Sequence, residues 1–208
     1  MSKLITFEGS EGSGKSTQIA FARDYLKGRG LPVLVVREPG GVKISENIRK
    51  ILLDTENQEM TNEAETLLYL AARAQLVSEV IAPALKRGTI ILCDRFMDST
   101  IAYQGFGNGV DLRFIKSVGE FATRGITPQL TFLFDIETKK GLARTSAQKD
   151  RIELRTLEYH NRVRRGYLTL ARQESKRIKV IKVNAGKEEI FARVKVFIDK
   201  ALKFSRPI

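Results

Sequence analysis

Eight residues near the start of the chain, Gly9-Ser10-Glu11-Gly12-Ser13-Gly14-Lys15-Ser16, combine types and spacing that can do chemistry. Glycines let a backbone turn tightly and approach a ligand closely, a lysine supplies a point charge, and a hydroxyl follows it. The order fits the pattern G-x-x-x-x-G-K-[ST], which carries meaning only between a strand and a helix. Both flanks qualify. Lys3-Leu4-Ile5-Thr6-Phe7 is a short apolar run that reads as a buried strand, and residues 16–29 read as a helix with Ile19, Ala22 and Leu26 on one face. A strand, a tight turn and a helix start aim several backbone N–H groups, and the positive end of the helix dipole, at one point. The chemistry predicted is the binding of a nucleoside triphosphate. Lys15 would reach its β- and γ-phosphates, and the Ser16 hydroxyl would bind Mg²⁺.

Three further groups deserve a chemical reading. Asp94-Arg95 follows the apolar run Thr89-Ile90-Ile91-Leu92-Cys93. A strand-terminal Asp beside a phosphate loop commonly holds Mg²⁺, and an arginine there can grip phosphate bidentately; alone, the pair could equally be a strand-end ion pair. Arg37-Glu38-Pro39-Gly40-Gly41 is a constrained turn, in which Arg37 could equally be a surface residue. Tyr69 and Arg73 lie four apart on one helical face, where a ring and a cation could stack a base and bond its edge, or simply pack.

The elements that must position these groups alternate apolar runs with helical stretches. Strands are predicted at 3–7, 31–36, 89–93, 130–134 and 179–183, and helices at 16–29, 43–53, 63–87 (bent near Pro83), 111–124, 138–146, 152–175 and about 187–203. The last helix buries Ile190, Val194, Phe197, Ile198 and Ala201 on one stripe. Gly105-Phe106-Gly107-Asn108-Gly109 reads as a loop. Five strands with intervening helices predict a single α/β domain over 1–208: a doubly wound, five-stranded parallel sheet with ligands at the C-terminal ends of its strands.

Composition bounds the rest. The chain has 208 residues, 42% hydrophobic and 29% charged, as expected for one globular domain. No apolar stretch approaches the roughly 18 residues of a membrane span, and no basic-then-apolar leader opens the chain. A single cysteine, Cys93, excludes an internal disulfide and fits a reducing cytoplasm; with one His as well, Cys/His metal clusters are excluded. Cys93 and His160 are expected to be packing or helix-surface residues. The net charge of +12 allows nucleic acid as a partner, but the cations are spread along the chain without interleaved aromatics. The expectation is therefore a nucleotide site and a solvated basic surface, with neither nucleic acid nor membrane as partner.

Taken together, Glu8 to Thr17, Arg37 to Gly41, Asp94-Arg95-Phe96 and Asp98-Ser99-Thr100-Ile101-Ala102-Tyr103-Gln104-Gly105 resemble bacterial thymidylate kinase in order and spacing over essentially the whole chain. Phe121-Ala122-Thr123-Arg124-Gly125-Ile126-Thr127-Pro128, Asp150-Arg151-Ile152-Glu153 and Arg165-Gly166-Tyr167-Leu168 look like that family too. The resemblance implies a P-loop kinase that moves the γ-phosphoryl group of ATP to dTMP with Mg²⁺, giving dTDP for dTTP synthesis, commonly as a homodimer. It implies that Gly9, Ser10, Glu11, Gly12, Ser13, Gly14, Lys15, Ser16 and Thr17 hold ATP and that Ser16 and Asp94 serve the metal. Arg95 would bridge donor and acceptor phosphates. The acceptor would meet Glu11 at its sugar, Arg49 at its phosphate, Tyr69 stacked on thymine and Arg73 at O4. Thr100 and Gln104 would read the base edge, Tyr103 would crowd the 2′ carbon, and Arg37, Pro39 and Ser99 would complete the site. Ser45 stands where the family usually has Gly.

The phosphate loop carries no arginine, so the resemblance requires one from a lid at about 144–153. Thr145 to Lys149 contains none. Arg144, Lys149 and Arg151 remain, with Arg151 chosen for the γ-phosphate and Arg144 over the adenine. Two rivals stand beside this reading: a nucleoside kinase, which would not need Arg49, and a P-loop ATPase switch, which would not need aligned base-reading residues.

Overall fold

The computed structural model describes residues 3–145 and 148–204. Residues 146 and 147, at the end of the expected helix 138–146 and inside the expected lid, lie outside the described residues. The five strands are β1 (Lys3–Glu8), β2 (Val33–Arg37), β3 (Ile90–Asp94), β4 (Leu130–Asp135) and β5 (Ile178–Lys182). They form one sheet in the order β2-β3-β1-β4-β5, with every pairing parallel. The central strands β1, β3 and β4 are buried on both faces, which is why they read as unbroken apolar runs.

Side chains alternate across the sheet. Ile5, Phe7, Leu92, Phe132 and Phe134 pack against α1 (Lys15–Lys27) and α9 (Lys187–Leu202), through Ile19, Leu26, Val194 and Ile198. On the other face Leu4, Ile91 and Cys93 meet Leu76, Val77 and Ile81. These three belong to the run of α3 (Asn62–Leu76), a wide π turn (Val77–Ile81) and α4 (Ala82–Lys86). By length and composition Asn62–Lys86 is apolar enough to cross a membrane, with mean hydropathy 1.2 over 18 residues, which corrects the expectation that no stretch approaches a span. Leu70, Ala72, Leu76, Val77, Ile81 and Ala84 are core and the stretch buries Glu65 and Arg73, although Leu67 is exposed.

Four differences from the expected elements matter for the site. Helix α2 (Lys43–Leu53) matches, but residues 97–107 form α5 (Met97–Thr100) continued by a π turn (Ile101–Gly107). Gly105 is inside it because a Cβ there would meet the side chain of Leu112, on α6 (Leu112–Thr123). Helix α7 (Thr138–Leu142) is short. Helix α8 (Leu157–Gln173) starts five residues later than expected. The Thr156 hydroxyl accepts from Tyr159 N and caps it, while Asp150 Oδ1 accepts from Ile152 N and Glu153 N and turns the preceding chain.

Candidate active site

The loop between β1 and α1 is fixed by close backbone approaches. Gly9, Gly12 and Gly14 take positive φ values of 138°, 65° and 83°. A Cβ on Gly9 would strike the Phe134 carbonyl, and one on Gly12 would strike the Gly141 carbonyl, so the loop lies flush against β4 and α7. Around Gly14 a Cβ would meet nothing within 4 Å, which leaves that side open as a cradle. Helix α1 has no side-chain cap and no acidic residue in its first turn, so its leading N–H groups face this cradle uncompensated. Lys15 folds over the loop, its Nζ donating to the carbonyls of Gly9 and Ser10, both at 3.1 Å. Burial, and then Arg95, lower the ammonium to a pKa of about 8 against the pull of Asp94, Glu11 and Glu8. The Ser16 hydroxyl donates to Asp94 Oδ2 at 3.3 Å, placing two hard oxygens together at the mouth of the loop as Mg²⁺ requires. Thr17 follows on the exposed first turn.

Arg95 joins this loop to a second site. Its backbone is left-handed, with φ 70°, and its guanidinium is held on several sides. Nη1 donates to the Gly9 carbonyl at 3.0 Å and to Tyr167 Oη at 3.2 Å, and Nη2 pairs with Glu11 Oε1 at 3.0 Å. The Tyr103 ring lies 5.0 Å below it, and Tyr103 Oη donates to the same Glu11 oxygen at 2.6 Å. Burial alone would raise the Glu11 pKa, but Arg95 and Lys15 outweigh it and hold it low. Behind Arg95, the fully buried Glu8 accepts from Phe96 N (2.7 Å), Ser99 Oγ (2.6 Å) and Tyr167 Oη (3.0 Å). Burial, aided by Asp98, pushes the Glu8 pKa up to about 7 despite Ser99 and Arg95.

Beyond Glu11 opens a cleft of about 700 Å³. Of the eleven residues expected at the acceptor, ten line it: Glu11, Pro39, Arg49, Tyr69 and Arg73 on one side, Arg95, Ser99, Thr100, Tyr103 and Gln104 on the other. Arg37 does not. It turns outward, pairs with Glu46 at 2.8 Å and donates to the Pro39 carbonyl at 3.0 Å, bracing the turn from outside the cleft. Arg49 Nη1 donates to the same carbonyl at 3.0 Å from within. The peptide between Glu38 and Pro39 is cis. Ser45, on α2, donates to the Ala72 carbonyl at 2.7 Å and so locks that helix to α3.

Arg73 is buried and fully engaged. Nε and Nη2 reach Glu38 Oε2 at 2.7 and 2.6 Å, and Nη2 also donates to the Phe96 carbonyl. Nη1 donates to Thr100 Oγ1 at 2.8 Å and touches the Met97 sulfur at 3.1 Å.

Arg151 is the clearest departure from expectation. It is not at the phosphate loop but buried on the α3 side, paired with Glu65 at 2.6 Å and donating from Nε to the Leu52 carbonyl at 2.9 Å. The turn set by Asp150 directs it there. Arg144 is exposed and stands against the loop instead, its Cβ 3.0 Å from where a Cβ on Gly12 would lie. Glu38 and Glu65 were not expected at the site, whereas His160 is a packed helix residue as expected. His160 is buried, with Nδ1 3.6 Å from Glu11 Oε2. Glu38 was legible in the turn motif, whereas Glu65 acquires its partners only through tertiary contacts. Cys93 is packed at its strand end as expected.

A parallel sheet carrying a phosphate loop, with a cationic and aromatic cleft facing it across one shared arginine, defines a P-loop nucleotide phosphotransferase. The family model for thymidylate kinase matches residues 7–194. The chain is 46% identical to the thymidylate kinase of Syntrophotalea carbinolica, covering 97% of both chains, and 50% identical to that of an Exiguobacterium species, covering 84% of both. The crystal structure of thymidylate kinase from Ehrlichia chaffeensis superposes with a TM-score of 0.80 at 30% identity, covering 95% of this chain and 98% of that one. The chain belongs to the thymidylate kinase family.

Proposed function

We propose that this chain transfers the γ-phosphoryl group of ATP to the phosphate of dTMP, giving dTDP and ADP. The observation that carries the reading is the shared position of Arg95: its guanidinium lines the cleft while bonding the phosphate loop through the Gly9 carbonyl and the Glu11 carboxylate. Phosphoryl transfer needs alignment and charge stabilisation rather than a covalent catalyst, and a cation between the two sites supplies both. The loop amides and Lys15 hold the triphosphate, with Ser16 and Asp94 as protein ligands for Mg²⁺. When bound, that ion offsets charge on the phosphates.

In the cleft, Arg49 and Arg95 take the acceptor phosphate and Tyr69 stacks on the base. Arg73 reaches O4 by giving up its contact to the Met97 sulfur, a weak acceptor. Tyr103 and Glu11 face the sugar. Arg144 takes the lid role first assigned to Arg151, because it stands beside Gly12.

Exposed Ile44 and Ile51 on α2, Leu67 on α3, and Phe114 and Phe121 on α6 lie on three helices packed in series, and this apolar surface fits a second copy of the chain. A soluble substrate pair and one buried thiol fit a cytoplasmic enzyme. The test is ADP release with ATP, Mg²⁺ and a panel of dTMP, dUMP, dCMP, AMP and thymidine. Turnover should be strong with dTMP and weaker with dUMP. If dTMP releases no more ADP than ATP alone, the acceptor reading fails; if thymidine wins, the chain is a nucleoside kinase.

A further inference from the structure

Glu65 lies in the first turn of α3, one turn before Tyr69, and its carboxylate is completely buried. Four side chains from two other parts of the chain converge on it. Oε1 accepts from Gln104 Nε2 at 3.0 Å and from Asn108 Nδ2 at 2.8 Å. Oε2 faces Arg151 Nη2 at 2.6 Å and accepts from Arg155 Nη2 at 3.1 Å. With two hydrogen bonds at Oε1, and one hydrogen bond and the Arg151 ion pair at Oε2, neither oxygen is without a partner.

This arrangement has a directional consequence. An ionised carboxylate can only accept, so the Gln104 amide must turn its NH₂ toward Glu65. Its oxygen is then the group left to face the cleft that Gln104 lines. An acceptor at that point suits the N3–H of thymine. Cytosine offers a lone pair at N3 and would need the flipped amide.

We infer that Glu65 is a positioning residue for base selection: it holds the Gln104 amide in the orientation that accepts from thymine and turns away cytosine. Through Arg151 and Arg155 the same carboxylate anchors segment 150–155, whose Asp150, Ile152 and Glu153 line the cleft. The inference rests on the base-reading role proposed for Gln104, and the experiment separates the two.

The experiment compares kcat and KM for dTMP and dCMP in the wild-type chain, Glu65→Gln, Gln104→Leu and the exchange Glu65→Gln/Gln104→Glu. Glu65→Gln frees the amide to flip, so the dTMP/dCMP ratio of kcat/KM should fall about tenfold or more, chiefly through KM for dTMP. In the exchange, the amide introduced at 65 donates to the carboxylate introduced at 104, which again only accepts, and most of the ratio should return. A purely structural role predicts equal losses for both substrates and no recovery, which would overturn the inference. If Gln104→Leu lowers the ratio while Glu65→Gln does not, Glu65 has no orienting role and base reading by Gln104 survives. If Gln104→Leu leaves the ratio unchanged, both fall. Should Glu65→Gln fail to fold, the wild-type protein still decides. The Gln104 side-chain NH₂, assigned by its loss in Gln104→Leu, should exchange with solvent slowly, and exchange as fast as a surface glutamine would sink the inference.

Discussion

Replacing Glu8 by Gln tests the electrostatics behind Arg95. Glu8 is fully buried, and its folded pKa of about 7 compares with 4.5 for a solvated glutamate. A raised acid binds its proton more tightly in the fold than in the unfolded chain. Its contribution is therefore complete below pH 4.5 and is lost as the pH climbs through about 7. The span corresponds to about 3 kcal/mol. Glutamine keeps the size and one acceptor oxygen for Phe96 N, while Ser99 and Tyr167 can turn to accept from its NH₂. Titrations of groups that Glu8 does not interact with are common to both proteins and cancel in the difference. The variant should therefore gain about 3 kcal/mol on wild type between pH 4.5 and pH 8, or about 6–12 °C in relative Tm for a chain of this size. Urea unfolding of both proteins at four pH values across this range measures it. A difference that does not change with pH would refute the argument, because Glu8 would then titrate as if solvated.

The other predictions concern the site. Arg144→Ala should lower kcat by about 10³-fold or more with little change in Tm, as loss of an arginine at the transferred phosphoryl group does. Arg151→Met should cost about 3 kcal/mol by stripping the buried Glu65 of a partner, with the larger effect seen in melting rather than in kcat; the reverse pattern would restore Arg151 to the phosphates. Tyr103→Ala should raise turnover of the ribonucleotide relative to dTMP by about tenfold, measured with 5-methyl-UMP as acceptor. Phe121, 83% exposed, lies on the apolar surface of α2, α3 and α6, and Phe121→Glu should shift the sedimenting species from dimer to monomer; an unchanged distribution would remove that surface as the interface.

The sheet was legible because its central strands are buried on both faces and carry continuous apolar runs, and the phosphate loop because its glycines answer to local backbone geometry. Ten of the eleven residues expected at the acceptor line one cleft, an expectation that came only through resemblance: spacing alone left Tyr69 and Arg73 open between base contact and ordinary packing. The failures share a physical cause. Arg37 ends a strand, and periodicity cannot tell whether a terminal residue turns into a cleft or out toward Glu46. The start of α8 was missed because Asp150 and Thr156 compete for the same chain, and the Asp150 turn, which also sends Arg151 inward, wins locally. The π turn at Ile101–Gly107 is stabilised by glycine contacts with Leu112 and Tyr159, which no local pattern reveals. Glu65 gathers partners from 39 to 90 residues away, so its importance exists only in the folded chain.

The place of Arg95 has a thermodynamic consequence. Both its Nη nitrogens hold the phosphate loop, at the Gly9 carbonyl and the Glu11 carboxylate, while the guanidinium itself lines the cleft, so a shift of the group is felt on both sides. With the two nucleotides bound as proposed, their affinities are expected to be coupled. Whatever factor the donor applies to the acceptor's dissociation constant, the acceptor must apply to the donor's, with the same sign and size.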